Sequence, residues 1–388
     1  MRNTGTYAEV STSGETVQAF VPRALPPGEP PLEMTAERRD RLRQAEHALA
    51  QLDLAAEMVP SLDWFLYAFV RKEAVISSQI EGTQATLIDL LAFEAEEDAA
   101  PSADVEEICN YLDALKYAQT ELASLDGPPI SMRLMNEAHR RLLDGARGQG
   151  KQPGEVRRSQ NWIGGNRPST AAFVPPPPNL LPGLLSDLEK YIHYADNLPP
   201  LIRAGLVHVQ FETIHPYLDG NGRIGRLLIA LLLQDWGLLK APLLYLSLHF
   251  KRDRDEYYRR LSAVRTAGDW EGWTDYFLDG VTVVADEAVA SAKDLFTLIS
   301  HDRTRVLSAS GSTVSAIRLF EMLPQNPVLT VASAMALLKT TKPTAAKAID
   351  LLETAKVLAE TTGRQRDRSF VYRTYVDRLK IGTELPNI

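Results

Sequence analysis

Cysteine is nearly absent from this 388-residue chain, where Cys109 stands alone. A single thiol excludes an internal disulfide framework and any multi-thiolate zinc site, and it fits a reducing compartment. Long apolar runs are missing too. The purest, Leu227 to Leu233, reads LLIALLL, whereas a membrane-spanning helix needs about 20 residues. The opening MRNTGTYAEVSTSGE has no apolar core of a secretory signal, so the expectation is a soluble, cytoplasmic protein with no membrane partner. Net positive charge is also lacking, since 42 Lys and Arg face 50 Asp and Glu for a balance of −8. Charge alone therefore does not recruit nucleic acid. What remains is ordinary: 45% hydrophobic and 24% charged residues, enough for a sizeable core and, at this length, about two to four domains.

The charge is unevenly spread. Residues 301–388 carry thirteen Lys and Arg against eight Asp and Glu, while the rest carries twenty-nine against forty-two. A basic tail on an acidic body suggests separate jobs. Residues 1–35 are Pro-rich (ALPPGEPPLEM) and lack helical period, which predicts an extended arm over the body. Helical pattern follows from Thr35 to Ser124, broken by a loop near 95–104. At 154–174 two β-prone runs flank Gly164 and Gly165, which predicts a hairpin stopped by the prolines at 175–178. Helices resume from Leu180 to Leu278, with breaks at 215–223 and 240–248. The tail reads helix, short strand, helix, helix, then two β-prone ends around the basic tip TTGRQRDRSFVY.

The chemistry concentrates in HPYLDGNGRIGR, His215 to Arg226, a loop running into an apolar helix. Gly220, Asn221 and Gly222 let backbone N–H groups converge, and convergent amides at a helix N-terminus form an anion nest. Arg223 and Arg226, three apart, add bidentate charge for phosphates. Asp219 offers a hard oxygen for Mg²⁺ beside phosphates. His215 titrates near neutrality and suits a base for a hydroxyl. Gly220, Gly222 and Gly225 also match a dinucleotide fingerprint, but that needs a strand before it and an acid about 20 residues on. Here the preceding LVHVQFET is helical in pattern and Lys240 to Leu246 holds no acid.

This loop resembles the signature of Fic proteins, H-P-F-x-D-G-N-G-R-x-x-R, departing only at Tyr217, where Phe is usual. That position packs apolar, so the change should be tolerated. The resemblance implies a mainly α fold, a Fic helical core with a small β-hairpin flap. It implies transfer of AMP from ATP, with Mg²⁺, to a Ser, Thr or Tyr hydroxyl of a target protein. His215 would deprotonate the acceptor and Asp219 would hold Mg²⁺. Gly220, Asn221, Gly222 and Arg223 would cradle the phosphates, Arg226 would grip the γ-phosphate, and Tyr245 stands where the family lines the nucleoside pocket. The hairpin at 154–174 is similar to the flap that aligns the target segment by strand addition.

Upstream, SSQIEG (Ser77 to Gly82) places Ser77 and Glu81 at i and i+4, with Gly82 fitting a helix stop. It resembles the family's inhibitory motif, in which the Glu pairs with the second motif arginine, here Arg226, and so misplaces ATP. The tail resembles a winged helix-turn-helix, with TAAKAIDLLETAKVL as candidate recognition helix and Arg364, Arg366 and Arg368 on the wing. Such modules bind DNA or dock proteins. The expected division is an arm and helical extension over 1–115, a Fic core over 116–290 and the winged helix over 300–388, in a chain that forms a homodimer. Two alternatives stay open: a DNA-binding regulator with a nucleotide-sensing core, and a de-AMPylase in which Glu81 orients water.

Overall fold

The computed structural model describes residues 2–58, 62–96, 100–124, 127–145, 148, 150–194, 196–363 and 368–385. Among these, fifteen α-helices and two small sheets make a mainly α protein. The chain begins with strands β1 (Gly5–Thr12) and β2 (Glu15–Pro22). Helices α1 (Ala36–Met58), α2 (Leu62–Ile80), α3 (Leu87–Ala95), α4 (Ala103–Ala123) and α5 (Met132–Leu142) follow. After an irregular stretch come α6 (Leu181–His193), α7 (Pro200–Ile214), α8 (Asn221–Asp235), α9 (Ser247–Arg252), α10 (Arg254–Ala267) and α11 (Trp270–Ser308). The chain closes with α12 (Val314–Met322), β3 (Val328–Thr330), α13 (Val331–Leu338), α14 (Lys342–Thr354), β4 (Ala359–Glu360), β5 (Ser369–Val371) and α15 (Arg373–Leu379). No helix among the described residues is long and apolar enough to cross a membrane.

Two compact units divide the chain: 1–51 with 110–285, and 52–109 with 286–388. The boundaries fall inside α1, α4 and α11. The interval between the core expected to end at 290 and the tail expected to begin at 300 lies within α11, which holds no proline from Trp270 to Ser308 and whose apolar stripe continues to Val306.

In the first unit, α7 and α8 form the centre. α7 is buried from Leu201 to Ile214 and α8 over most of its length, and the polar side chains they bury, Arg203, His208, Gln210 and Arg226 among them, lie inside rather than on a solvent face. Small residues set their close approach: a Cβ on Gly225 would come within 2.5 Å of the Glu212 Oε1 atom. Trp273 and Trp270 of α11 belong to this core, at 0% and 5% exposure, and Trp273 donates its indole N–H to the Gly205 carbonyl at 2.9 Å.

The arm expected over residues 1–35 is in fact a regular hairpin from Gly5 to Pro22. β1 and β2 pair antiparallel from Gly5↔Pro22 to Thr12↔Glu15. Ser13 and Gly14, at φ 53° and 76°, make a two-residue turn of the kind that suits strand twist. The hairpin is tied down at its base. Arg2 binds Glu271 at 2.7 Å, Thr4 Oγ1 donates to the Arg265 carbonyl at 3.0 Å, and the Arg23 carbonyl accepts from Gln210 at 2.8 Å.

In the second unit, the tail elements come in the order expected from sequence. β3, β5 and β4 form an antiparallel sheet in that spatial order, with Phe370 opposite Leu329 and Glu360. Capping side chains start the helices, Thr313 for α12 and Thr330 for α13. Tyr372 donates to the buried Asp302 carboxylate at 2.8 Å, beside Arg305 at 2.7 Å. The tail's end also reaches the last turn of α2: Gln79 donates its amide to the carbonyls of Ala85 and Thr383, each at 2.9 Å.

Candidate active site

The loop from His215 to Gly220 joins the two buried helices, and its shape is set by side chains that bind backbone. His215 closes α7 in the left-handed region, φ 50° and ψ 63°, with its N–H on the Phe211 carbonyl at 2.9 Å. A non-glycine residue held there stores about 1–3 kcal/mol and persists only where neighbours over-determine it. Arg157 is that neighbour. Its Nε donates to the His215 carbonyl at 2.9 Å and its Nη2 to the Pro176 carbonyl at 2.5 Å, while its backbone N–H reaches the Pro216 carbonyl at 2.9 Å. The guanidinium is 1% exposed, and burial lowers its pKa to about 10.

Tyr217 is fully buried, as the reading of that position requires, but its hydroxyl is not idle: it donates to Asn136 Oδ1 at 2.8 Å. The ring stacks on His139 at 3.7 Å and 7°. His139 Nδ1 accepts the Gly154 N–H at 2.9 Å, so Nε2 carries the proton and donates to the Asp219 carbonyl at 3.0 Å. Burial pushes its pKa down to about 4, which keeps this tautomer neutral. His208 is likewise buried and neutral, pushed down to about 3. It sits between the Gly225 carbonyl at 3.0 Å and the Tyr257 hydroxyl at 2.8 Å. Both histidines pack in the core and hold polar groups there.

Asn221 turns inward. Its Oδ1 accepts the Tyr217 N–H and its Nδ2 donates to the Tyr217 carbonyl, both at 2.8 Å, which closes the loop on itself. The residue therefore shapes the turn through its side chain, a role sequence reading missed. Gly220 begins α8 at φ 75°, where a Cβ would crowd Leu142 at 3.1 Å. The N–H groups of a helix's first turn lack intrahelical acceptors and favour anions, and Gly222 lies in that turn. The Asp219 side chain is 45% exposed, accepts the Gly220 N–H at 2.6 Å and stands 3.7 Å from Arg223 Nη2. Arg223 and Arg226 are buried in α8, and Tyr245 is buried in the connection before α9. His215, Asp219 to Arg223, Arg226 and Tyr245 thus all belong to the first unit.

Ser77, Glu81 and Gly82 belong to the second. α2 ends at Ile80, one residue short of placing Glu81 on its face, and Gly82 turns the chain at φ 105°. Ser77 is buried, while Glu81 and Gly82 are exposed.

The hairpin expected at 154–174 is reduced to a loop closed by one bridge. Ile163 and Phe173 exchange both backbone bonds, at 2.9 and 3.1 Å, and a turn of 3-10 helix at Pro168–Thr170 replaces further pairing. The proline at the start of that turn withholds a ladder N–H. Gln160 and Asn161 tie the loop's base to the Pro175 and Tyr217 carbonyls at 2.8 and 3.2 Å. On the wing, Arg368 lies 3.5 Å from Glu353 and 3.3 Å from Glu360; Arg364 and Arg366 fall outside the described residues.

Two family models match the chain: Fic/DOC family N-terminal over residues 39–120 and Fic/DOC family over 129–233. The chain is 30% identical over 184 residues to the protein adenylyltransferase Fic of Drosophila willistoni. That match takes in 47% of this chain and 33% of the fly protein. A probable protein adenylyltransferase of Aquifex aeolicus is 34% identical over 97 residues, 25% of this chain and 27% of that protein. The chain thus spans about a third of the length of the curated relatives it matches. Among solved structures, a Fic family protein from Desulfovibrio desulfuricans superposes with TM-score 0.57 at 20% identity, over 88% of this chain and 98% of that one. Fic-1 of C. elegans superposes with TM-score 0.52 at 23% identity, over 67% and 74%. At these identities the likeness is one of fold.

Proposed function

This chain belongs to the Fic/DOC family, and we propose that it is a protein adenylyltransferase that moves AMP from ATP to a hydroxyl of a target protein. The observation that supports this most is the intact loop His215–Arg226 set at the start of the buried helix α8. In the proposed reaction the acceptor oxygen attacks the α-phosphorus, the bond from that phosphorus to the bridging oxygen breaks, and diphosphate leaves. His215 takes the acceptor's proton, an effect worth about 10²–10⁴-fold. The first turn of α8, with Arg223 and Arg226, holds phosphate charge, and Tyr245 borders the nucleoside.

Mg²⁺ fits the site as a guest of the nucleotide. Asp219 supplies one hard, partly exposed oxygen, and no cluster of three ligating side chains occurs among the described residues. The remaining ligands would be phosphate and water oxygens. The ion supplies charge neutralisation on the phosphates.

Glu81 is the proposed restraint, competing with the γ-phosphate for Arg226. The tail is proposed as a winged helix that docks a protein. Arg368 is already held by two carboxylates, so phosphate contact there would have to break both pairs. The test is incubation of wild type and Glu81→Gly with labelled ATP and Mg²⁺. AMP should appear on protein, and more strongly in the variant. Label in neither sinks the transferase reading, equal label removes Glu81 as restraint, and loss of AMP from a pre-modified protein reverses the direction.

A further inference from the structure

The loop at 161–174 is anchored twice, and only one anchor belongs to the loop that carries His215. At the base, Arg157 and Asn161 join it to the carbonyls of His215 and Tyr217. At the tip the partner is the N-terminal hairpin. Glu15 stands first in β2, just past the Ser13–Gly14 turn. Its Oε2 accepts the Ser169 N–H at 2.9 Å, and its Oε1 accepts Arg167 Nε at 2.7 Å and also Arg167 Nη2. Ser169 and Arg167 hold the carboxyl down at about 2, so it is ionised at any working pH.

A second contact runs alongside. The register of β1 with β2 turns the Phe20 N–H away from β1, and it donates to the Val174 carbonyl at 2.9 Å. One backbone hydrogen bond thereby ties the loop's return segment to the hairpin's edge. Arg265 of α10 lies over the Phe173 ring at 3.9 Å. The hairpin itself is tied down through Arg2, Thr4 and Arg23, so Glu15 reaches the tip from a fixed base. A two-stranded hairpin is marginal alone, and one bridge pair does not hold a loop of this length in register.

We propose that Glu15 is a positioning residue: it holds the tip of the 161–174 loop in the orientation that presents the acceptor segment to His215. This rests on the reading of that loop as the acceptor-aligning element. The carboxylate touches neither nucleotide nor acceptor. It acts through Arg167 and Ser169, so its loss should leave ATP binding alone and impair transfer.

The test uses the full chain in the Glu81→Gly background, comparing Glu15→Ala, Arg167→Glu and the swapped pair Glu15→Arg with Arg167→Glu. Three quantities are measured: hydrogen exchange of the 162–174 segment, the rate of AMP self-labelling at saturating ATP, and the dissociation constant of ATP. Glu15→Ala should speed exchange at 162–174, slow labelling about tenfold, and change the ATP constant less than about twofold. The swapped pair should recover part of both lost quantities, which a general structural defect would not do. Unchanged exchange and labelling in Glu15→Ala overturn the proposal. So does a loss of ATP affinity in step with labelling. If the Glu81→Gly chain labels nothing at all, the transferase reading fails, and the exchange arm still decides whether Glu15 holds the loop.

Discussion

The loop at 215–226 and the tail at 314–371 both set arginines beside a helix, and they treat them in opposite ways. Around the loop, Arg157, Arg223 and Arg226 are 1–4% exposed, and Arg157 serves backbone carbonyls. On the tail, the Arg368 side chain is 36% exposed and lies between two glutamates. A buried guanidinium that satisfies carbonyls dictates the path of the chain, since each carbonyl it abandons would be left without a donor. A surface guanidinium between carboxylates dictates little, because solvent takes over its role. The first region is therefore built for one geometry, and the second is a surface whose charges are exchangeable.

That contrast ranks the expected losses. His215→Ala in the Glu81→Gly background should lower AMP transfer by about 10²–10⁴-fold with ATP binding retained; transfer at the parent rate would remove His215 from the chemistry. Arg157→Met should follow. It uncovers the His215 and Pro176 carbonyls, at about 1–3 kcal/mol each, and thermal unfolding together with transfer measures it. A melting point within a degree of wild type would show that water replaces the guanidinium and that the left-handed His215 does not depend on it.

The third effect is a pH dependence. Folding depresses His139 from 6.5 to about 4, so between those values the unfolded chain binds the extra proton. Stability contributed by neutral His139 is complete above 6.5, falls as pH drops toward 4, and amounts to about 3 kcal/mol. Unfolding free energy measured from pH 7 to 4 should be steeper for wild type than for His139→Asn; parallel curves would contradict the buried neutral tautomer. Smallest of all, Arg368→Ala should shift stability by under about 1 kcal/mol. It should also leave retention of the full chain on duplex DNA at about 50 mM salt unchanged; a clear loss of retention would restore the DNA-binding alternative for the tail.

Legibility in the sequence follows the same line. The loop could be read because its residues are contiguous and its glycines meet local backbone needs, such as the positive φ of Gly220. The tail's order was readable from period and from the break at Thr341-Lys342-Pro343. Arg157 and His139 were not, because their partners are carbonyls 58 and 80 residues away. Nothing in GEVRRSQ distinguishes a buried arginine from its exposed neighbour Arg158. The N-terminal hairpin was obscured by the prolines that follow it, although Ser13-Gly14 between β-prone runs was a usable turn signal. Strand pairing at 154–174 was overestimated because pattern cannot weigh a proline in the turn against the bridge it interrupts.

One bond described in the second unit bears on how the molecule comes apart. Gln79, inside SSQIEG, gives its amide to Thr383, five residues from the chain's end. Segments more than 300 positions apart thus share a hydrogen bond, and the expectation is that they open as one cooperative block. Under native conditions the amides from Ser78 to Thr83 should exchange through the same opening event as those near Lys380 to Thr383, with matching free energies and denaturant slopes. Trimming the last residues should raise exchange at Ser78 to Thr83 before it disturbs α7 or α8.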